Sequence, residues 1–202
     1  MTKSINNTKE LIENVEMLLL AIKPQMLHVL KENTYNIENL IVISIVAGKT
    51  INDLKEAFAG FSGASFFLYD EIGSTNDEAK RYAKDGFSEN AIFIAARQTG
   101  GRGRLGRSFS SDEGGLYISY LLHPKLLAED AGMITAYAAV ALSEVLEELT
   151  PLKPKIKWVN DVYVGKRKLA GILTEGQALA DGKLGYAVVG IGVNVWKREF
   201  PE

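Results

Sequence analysis

Between residues 155 and 193 the sequence runs through four strand-like segments, 155–159, 162–164, 168–175 and 183–193, with no helical stretch between them. Strands joined this closely cannot all run parallel, because a parallel crossover needs a dozen or more connecting residues. The sheet they build is therefore expected to be largely antiparallel or mixed. Three further strands are expected upstream, at 65–69, 91–96 and 116–122. Ser74-Thr75-Asn76-Asp77 offers several capping side chains to a helix running to about Lys84. A longer helix is expected over 127–149, with Ile134, Tyr137, Ala138, Ala141, Leu142, Val145 and Leu149 on one face. The fold class that follows is α+β: a mixed, mostly antiparallel sheet with helices packed on one side.

Residues before this pattern read differently. Leu11, Ile12, Val15, Leu18, Leu19 and Ile22 recur at helical spacing within 8–33, and Pro24 is placed to kink or end that helix. Residues 40–47 are rich in β-branched residues and end at Gly48, as a buried strand would; a short helix over 54–58 is expected behind the cap at Thr50-Ile51-Asn52-Asp53. The glycines from Gly60 to Gly63 mark a boundary. Two units are expected: 1–62, a helical and strand segment of unassigned role, and 63–202, the main domain.

Composition narrows the chemistry. The chain has no cysteine, which removes disulfides, thiolate metal sites and a cysteine nucleophile. With only His28 and His123, a Ser–His–Asp centre or a histidine-rich metal site is not expected. A net charge of -2 gives no overall attraction to polyanions, so any anion chemistry must come from a local patch. The first residues lack the pattern of a secretory leader, and the longest apolar runs, 17–22 and 40–47, are far short of a membrane span. The cytoplasm is the expected location and no membrane partner is expected.

Four stretches concentrate polar chemistry. Arg97-Gln98-Thr99-Gly100-Gly101-Arg102-Gly103-Arg104-Leu105-Gly106-Arg107 packs four arginines and four glycines into eleven residues. Glycine lets backbone N–H groups approach a ligand, and arginine supplies planar, permanent cations for carboxylate or phosphate. A flexible basic loop or a nucleic-acid contact would have the same composition; the Gly-Lys-Ser/Thr ending of a P-loop is absent. Lys155-Ile156-Lys157-Trp158-Val159-Asn160-Asp161, followed by Arg167-Lys168-Leu169-Ala170-Gly171, suits a half-buried strand whose lysines face a cleft. Its Asn160-Asp161 corner is either an ordinary turn or a carboxylate that holds a lysine or a magnesium ion. Ser74-Thr75-Asn76 caps a helix and could also bond a neutral polar ligand. The glycines of Gly190-Ile191-Gly192-Val193-Asn194 suggest close approach of a ligand or another strand.

Together and in this order, DEIGSTNDEAK, ARQTGGRGRLGRSF, Gly115-Leu116-Tyr117, KWVND, RKLAGIL and GIGVN resemble the biotin–protein ligases, over about Phe67 to Asn194. The resemblance implies the class II synthetase-like fold of those ligases. It implies ATP-dependent conversion of biotin to biotinyl-5'-AMP, then transfer to a lysine of a biotin carboxyl carrier domain. ATP and biotin would be substrates, with Mg2+ in attendance. Ser74, Thr75, Asn76 and Gln98 would bond the ureido ring, and Arg102, Gly103, Arg104, Lys168 and Gly171 would complete the biotin site. Arg104, Arg107, Phe109, Asn160 and Asn194 would face the nucleotide. Arg104, Lys157, Lys168 and Asp161 would carry the chemistry, with Asp161 as the magnesium ligand.

Three departures stand out. Val159 replaces the usual proline of KWPND, Phe109 replaces the tryptophan after the arginine loop, and the chain stops at Glu202, where relatives continue. The last leads one to expect a catalytic domain incomplete at its C-terminus, and a truncated biotin-binding module without full turnover is one alternative. A lipoate or octanoate ligase or transferase of the same fold is the other. Residues 1–60 mix Lys and Glu and show no basic recognition helix, which argues against DNA as a partner. A homodimer is left open.

Overall fold

The computed structural model describes residues 64–194 throughout, and before them four short strands: β1 (Met17–Leu20), β2 (Tyr35–Asn36), β3 (Ile41–Ser44) and β4 (Phe61–Ser62). β1 pairs in parallel with β3, and β2 with β4. β3 falls inside the strand expected over 40–47. β1 interrupts the helix expected over 8–33: Met17-Leu18-Leu19-Leu20 is a short apolar run, which periodicity alone cannot assign to helix or strand. The rest of that helix, and the one expected over 54–58, lie outside the described residues.

The main sheet has seven strands: β5 (Ser65–Ile72), β6 (Ala91–Gln98), β7 (Gly115–Leu122), β8 (Pro154–Lys157), β9 (Asp161–Val164), β10 (Arg167–Ala178) and β11 (Leu184–Asn194). Their spatial order is β5-β6-β7-β11-β10-β9-β8. Only β5 and β6 pair in parallel, across the helix α1 (Thr75–Lys84); every other pairing is antiparallel. This is the expected mixed, mostly antiparallel α+β sheet.

The helices, however, cover opposite faces. Ile92, Ile94, Ile118, Tyr120, Val189 and Ile191 form one core with Ile134, Ala138, Leu142 and Val145 of α2 (Ala131–Leu149). Ala91, Phe93, Leu121, Tyr186 and Val188 form the other with Ala79 of α1, and Phe67 stacks on Phe93 with centroids 4.8 Å apart. The reason is visible in β7, where the seven residues after Gly115 are all buried. A strand apolar on both sides needs a layer on each, and the expectation of helices on one side is corrected accordingly. α2 also starts later than expected, behind a 3-10 turn at Ala128–Asp130, and Tyr137 lies on its outer side, 57% exposed. No described helix is long and apolar enough to cross a membrane.

Candidate active site

The cleft lies on the α1 face, over the middle of β7, β11 and β10. Its floor is glycine: Gly171 of β10 stands opposite Gly192 of β11, and Gly192 opposite Tyr117 of β7. Phe109 lies over this strip, so that a Cβ on Gly171 would come within 3.1 Å of its ring and one on Gly192 closer still. Gly190, next in line, is covered by the Asn76 amide. The glycines of the sequence motif are thus explained by close side-chain approach from above.

One end of the cleft is a polar wall. Ser74 caps α1 by accepting from the Asp77 N–H at 3.3 Å, which leaves Thr75 and Asn76 as the first buried residues of the helix. Gln98, the last residue of β6, accepts from the Thr75 N–H at 2.8 Å, has the Thr75 hydroxyl oxygen 3.0 Å from the same Oε1, and donates to Ser111 Oγ at 3.0 Å. Asn76 Nδ2 donates to the Leu173 carbonyl at 3.2 Å and to Glu175 Oε2 at 2.9 Å. Ser119 of β7 lies 2.7 Å from Thr75 Oγ1 and 2.6 Å from Asn76 Oδ1. Burial works to raise the Glu175 pKa, but hydrogen bonds from Lys80 and Asn76 and the charges of Lys80 and Arg102 outweigh it, holding the carboxyl below the ordinary value. Burial pushes the Tyr117 phenol up to about 12, and its hydroxyl donates to the Asp112 carbonyl at 2.7 Å.

The other end is cationic. Arg104 Nη1 donates to Asn160 Oδ1 at 3.0 Å, and Asn160 Nδ2 to Asp161 Oδ1 at 2.9 Å. Lys168 Nζ pairs with the same Asp161 oxygen at 2.7 Å and stands 5.8 Å above the Phe109 ring. A break in strand register between Lys168 and Ala170 accompanies this placement. Arg102 reaches back to Asp77 at the start of α1, so the arginine loop spans both ends.

Of the residues expected to form the site, Ser74, Thr75, Asn76, Gln98, Arg102, Gly103, Arg104, Phe109, Asn160, Lys168 and Gly171 line one cleft. Asp161 joins it through Lys168. Asn194 lies at the end of β11 opposite Gly115, two residues beyond Gly192. Arg107 lines an adjoining depression with Arg97 and Thr99, which shares Gln98, Arg102 and Phe109 with the cleft. Lys157 stands apart on the outermost strand, exposed, its Nζ 5.6 Å from the Tyr163 ring centre. Trp158 follows the last paired residue of β8 and is 81% exposed, not half-buried as its strand-like setting suggested. Among the described residues no group of three acidic, histidine or cysteine side chains could hold a metal ion, and Asp161 is already paired with a lysine. The described residues thus offer no preformed magnesium site.

Ser119 and Glu175 were not legible as site residues. A lone serine among the aromatic and aliphatic residues of β7 was the available signal for the first; the second reads as an ordinary strand end.

The same stretch has known relatives. Residues 70–194 match the profile of the Biotin/lipoate A/B protein ligase family. The bifunctional ligase/repressor BirA of Bacillus subtilis (strain 168) is 35% identical over 143 residues, 69% of this chain and 44% of that one. The biotin–[acetyl-CoA-carboxylase] ligase of Paracoccus denitrificans is 38% identical over 124 residues, 60% of this chain and 51% of that one. The solved structure of the Aquifex aeolicus biotin protein ligase in complex with biotin and ATP aligns with a TM-score of 0.55 at 39% identity, over 68% of this chain and 55% of that one. The chain spans about half the length of the relatives it matches. With the profile covering more than half of its 202 residues, and the sheet, glycine floor and cationic loop found within that span, this chain belongs to the biotin/lipoate A/B protein ligase family.

Proposed function

We propose that this chain activates biotin with ATP to biotinyl-5'-AMP and passes the biotinyl group to a lysine of a biotin carboxyl carrier domain. The observation that carries this reading is a single cleft with a neutral polar wall at one end and a cationic end at the other. Biotin has the same polarity: a ureido ring with one carbonyl and two N–H groups, an apolar chain, and a carboxylate. Ser74, Thr75, Asn76 and Gln98 are assigned to the ring, and the glycine floor under Phe109 to the apolar chain.

In the first step a carboxylate oxygen of biotin attacks the α-phosphorus of ATP, and pyrophosphate leaves. Two anions must meet, and unit charges 4 Å apart repel by about 4 kcal/mol at an effective dielectric near 20. Lys168 and Arg104 are assigned as the counter-charges, with Asp161 and Asn160 aiming them through the bonds described above. Arg102 and Gly103 would close over the carboxylate, and Arg107, Phe109, Asn160 and Asn194 over the nucleotide. Arg107 would have to swing in from the adjoining depression. In the second step the carrier lysine attacks the anhydride carbonyl and AMP leaves. Magnesium belongs to this reading only as the counter-ion that accompanies ATP. Lys157 is retained from the KWVND motif as a contact for the distal phosphates, a role its exposed position leaves to nucleotide binding.

The test is pyrophosphate exchange into ATP, with biotin, lipoate and octanoate compared. Exchange dependent on biotin is expected. Exchange driven by lipoate or octanoate with none from biotin would replace this reading with the other branch of the family. Mass analysis of a carrier domain incubated with chain, biotin and ATP tests the transfer, with one biotinyl group on one lysine as the expected product.

A further inference from the structure

Ser119 is 0% exposed and occupies the strand position between the glycine floor and the polar wall, opposite Gly190. The direction of each hydrogen bond around it can be worked out from its neighbours. Both hydrogens of the Asn76 amide go to the Leu173 carbonyl and the Glu175 carboxylate, so Asn76 Oδ1 faces Ser119 and only accepts. The Gln98 amide donates to Ser111 Oγ, whose own hydrogen goes to the Phe109 carbonyl at 3.0 Å. Gln98 Oε1 therefore faces Thr75 and also only accepts.

Between these two carbonyl oxygens stand the hydroxyls of Thr75 and Ser119. Three oxygen–oxygen contacts, of 3.0, 2.7 and 2.6 Å, must be served by the hydrogens of two hydroxyls. Each hydroxyl has one hydrogen to give. One contact is always left without a hydrogen. The least costly choice leaves the Thr75–Gln98 contact bare, since Gln98 Oε1 keeps the Thr75 backbone N–H. The four-residue chain thus has acceptor capacity to spare and no spare donor.

We propose that Ser119 is a specificity-determining positioning residue, which keeps the chain from Gln98 through Thr75 and Ser119 to Asn76 one hydrogen short so that this part of the wall takes a ligand N–H and excludes a ligand presenting a lone pair at that place. The inference rests on the biotin reading of the cleft and names how the wall would select a cyclic urea. With Ser119 present, turning the Thr75 hydroxyl towards a ligand oxygen leaves two contacts bare. Without Ser119 the same turn again costs one contact, but Asn76 Oδ1 then has no donor and loses the group that holds its carbonyl in place, so the effect of Ser119 is to position that acceptor.

The experiment is titration calorimetry of the whole 202-residue chain with biotin and with its cyclic carbamate analogue, in which a ring N–H is replaced by oxygen. Wild type, Ser119→Ala and Ser119→Thr are compared, with thermal unfolding alongside. In Ser119→Ala the preference for biotin over the carbamate should fall roughly 10-fold, mainly through weaker biotin binding, with Ser119→Thr restoring it. An unchanged preference, or equal losses for both ligands, would mean that Ser119 serves only the fold. The wild type supplies an independent check: carbamate binding as tight as biotin overturns the hydrogen count without any variant. If wild type binds neither ligand, the ligase reading itself has failed and takes this inference with it.

Discussion

The two ends of the cleft are held in very different ways. The polar wall is built from buried side chains on α1, β6 and β7, each tied to the next and finally to Glu175 and the Leu173 carbonyl. The base of the arginine loop is tied by backbone bonds, from the Gly100 N–H to the Gly73 carbonyl and from the Phe109 N–H to the Gly101 carbonyl, but its arginine side chains make only exposed contacts, such as Arg102 to Asp77 and Arg104 to Asn160. Its tip is Leu105, 89% exposed and at φ 59, a left-handed conformation that costs a non-glycine residue about 1–2 kcal/mol. Little would be lost by rearranging the outer part of such a loop, whereas moving the wall would disturb both the helix cap and the sheet. On the proposed reading, recognition of the ring is built into the fold, and the charges for activation are placed where they can follow the substrate.

The comparison predicts opposite responses at the two ends. Lys168→Ala should lower biotin-dependent pyrophosphate exchange by roughly 100- to 1000-fold while biotin affinity falls far less, since the lysine acts on charge that develops in the reaction; an equal drop in both would place Lys168 in ground-state binding. Gly190→Ala should destabilise the fold by about 1–3 kcal/mol in urea unfolding, because its Cβ would enter the space of the Asn76 amide. Arg104→Ala should release biotinyl-AMP roughly 10-fold faster in a filter-retention assay, with the melting temperature nearly unchanged. Parallel loss of stability and retention would show that the loop, too, is structural.

The smallest effect concerns pH. Glu175 has its pKa lowered in the folded protein, so its contribution to stability is present above the ordinary glutamate value and is lost as pH falls through the folded value. Glu175→Gln should therefore cost about 1 kcal/mol at neutral pH. The cost should vanish in acid, below the lowered folded pKa, as read from urea midpoints across that range. A constant difference at all pH values would show that the charge has no role.

Most of the elements were legible because their cues are local. The capping residues at Ser74, the short apolar runs of β6 and β7 and the boundary glycines announce themselves within a few residues. The expectation of helices on one side failed at β7, whose unbroken apolar run meant burial on both faces and was the overlooked cue. Lys157 and Trp158 share a motif with Asn160 and Asp161, yet β8 is an edge strand and the chain turns after Lys157, so the motif divides between solvent and cleft.

By itself the sequence determined the chemistry available: no thiol, two histidines, a run of glycine and arginine, and a Ser-Thr-Asn cap, which together pointed to the family. Only the tertiary structure decided which groups cooperate. Ser119 and Glu175 lie 43 and 99 residues from Asn76 and meet it because β7, β11 and β10 are neighbours in the sheet. Hydrogen-bond direction depends on every partner at once, and partners so distant along the chain are set by strand order, which no local pattern encodes.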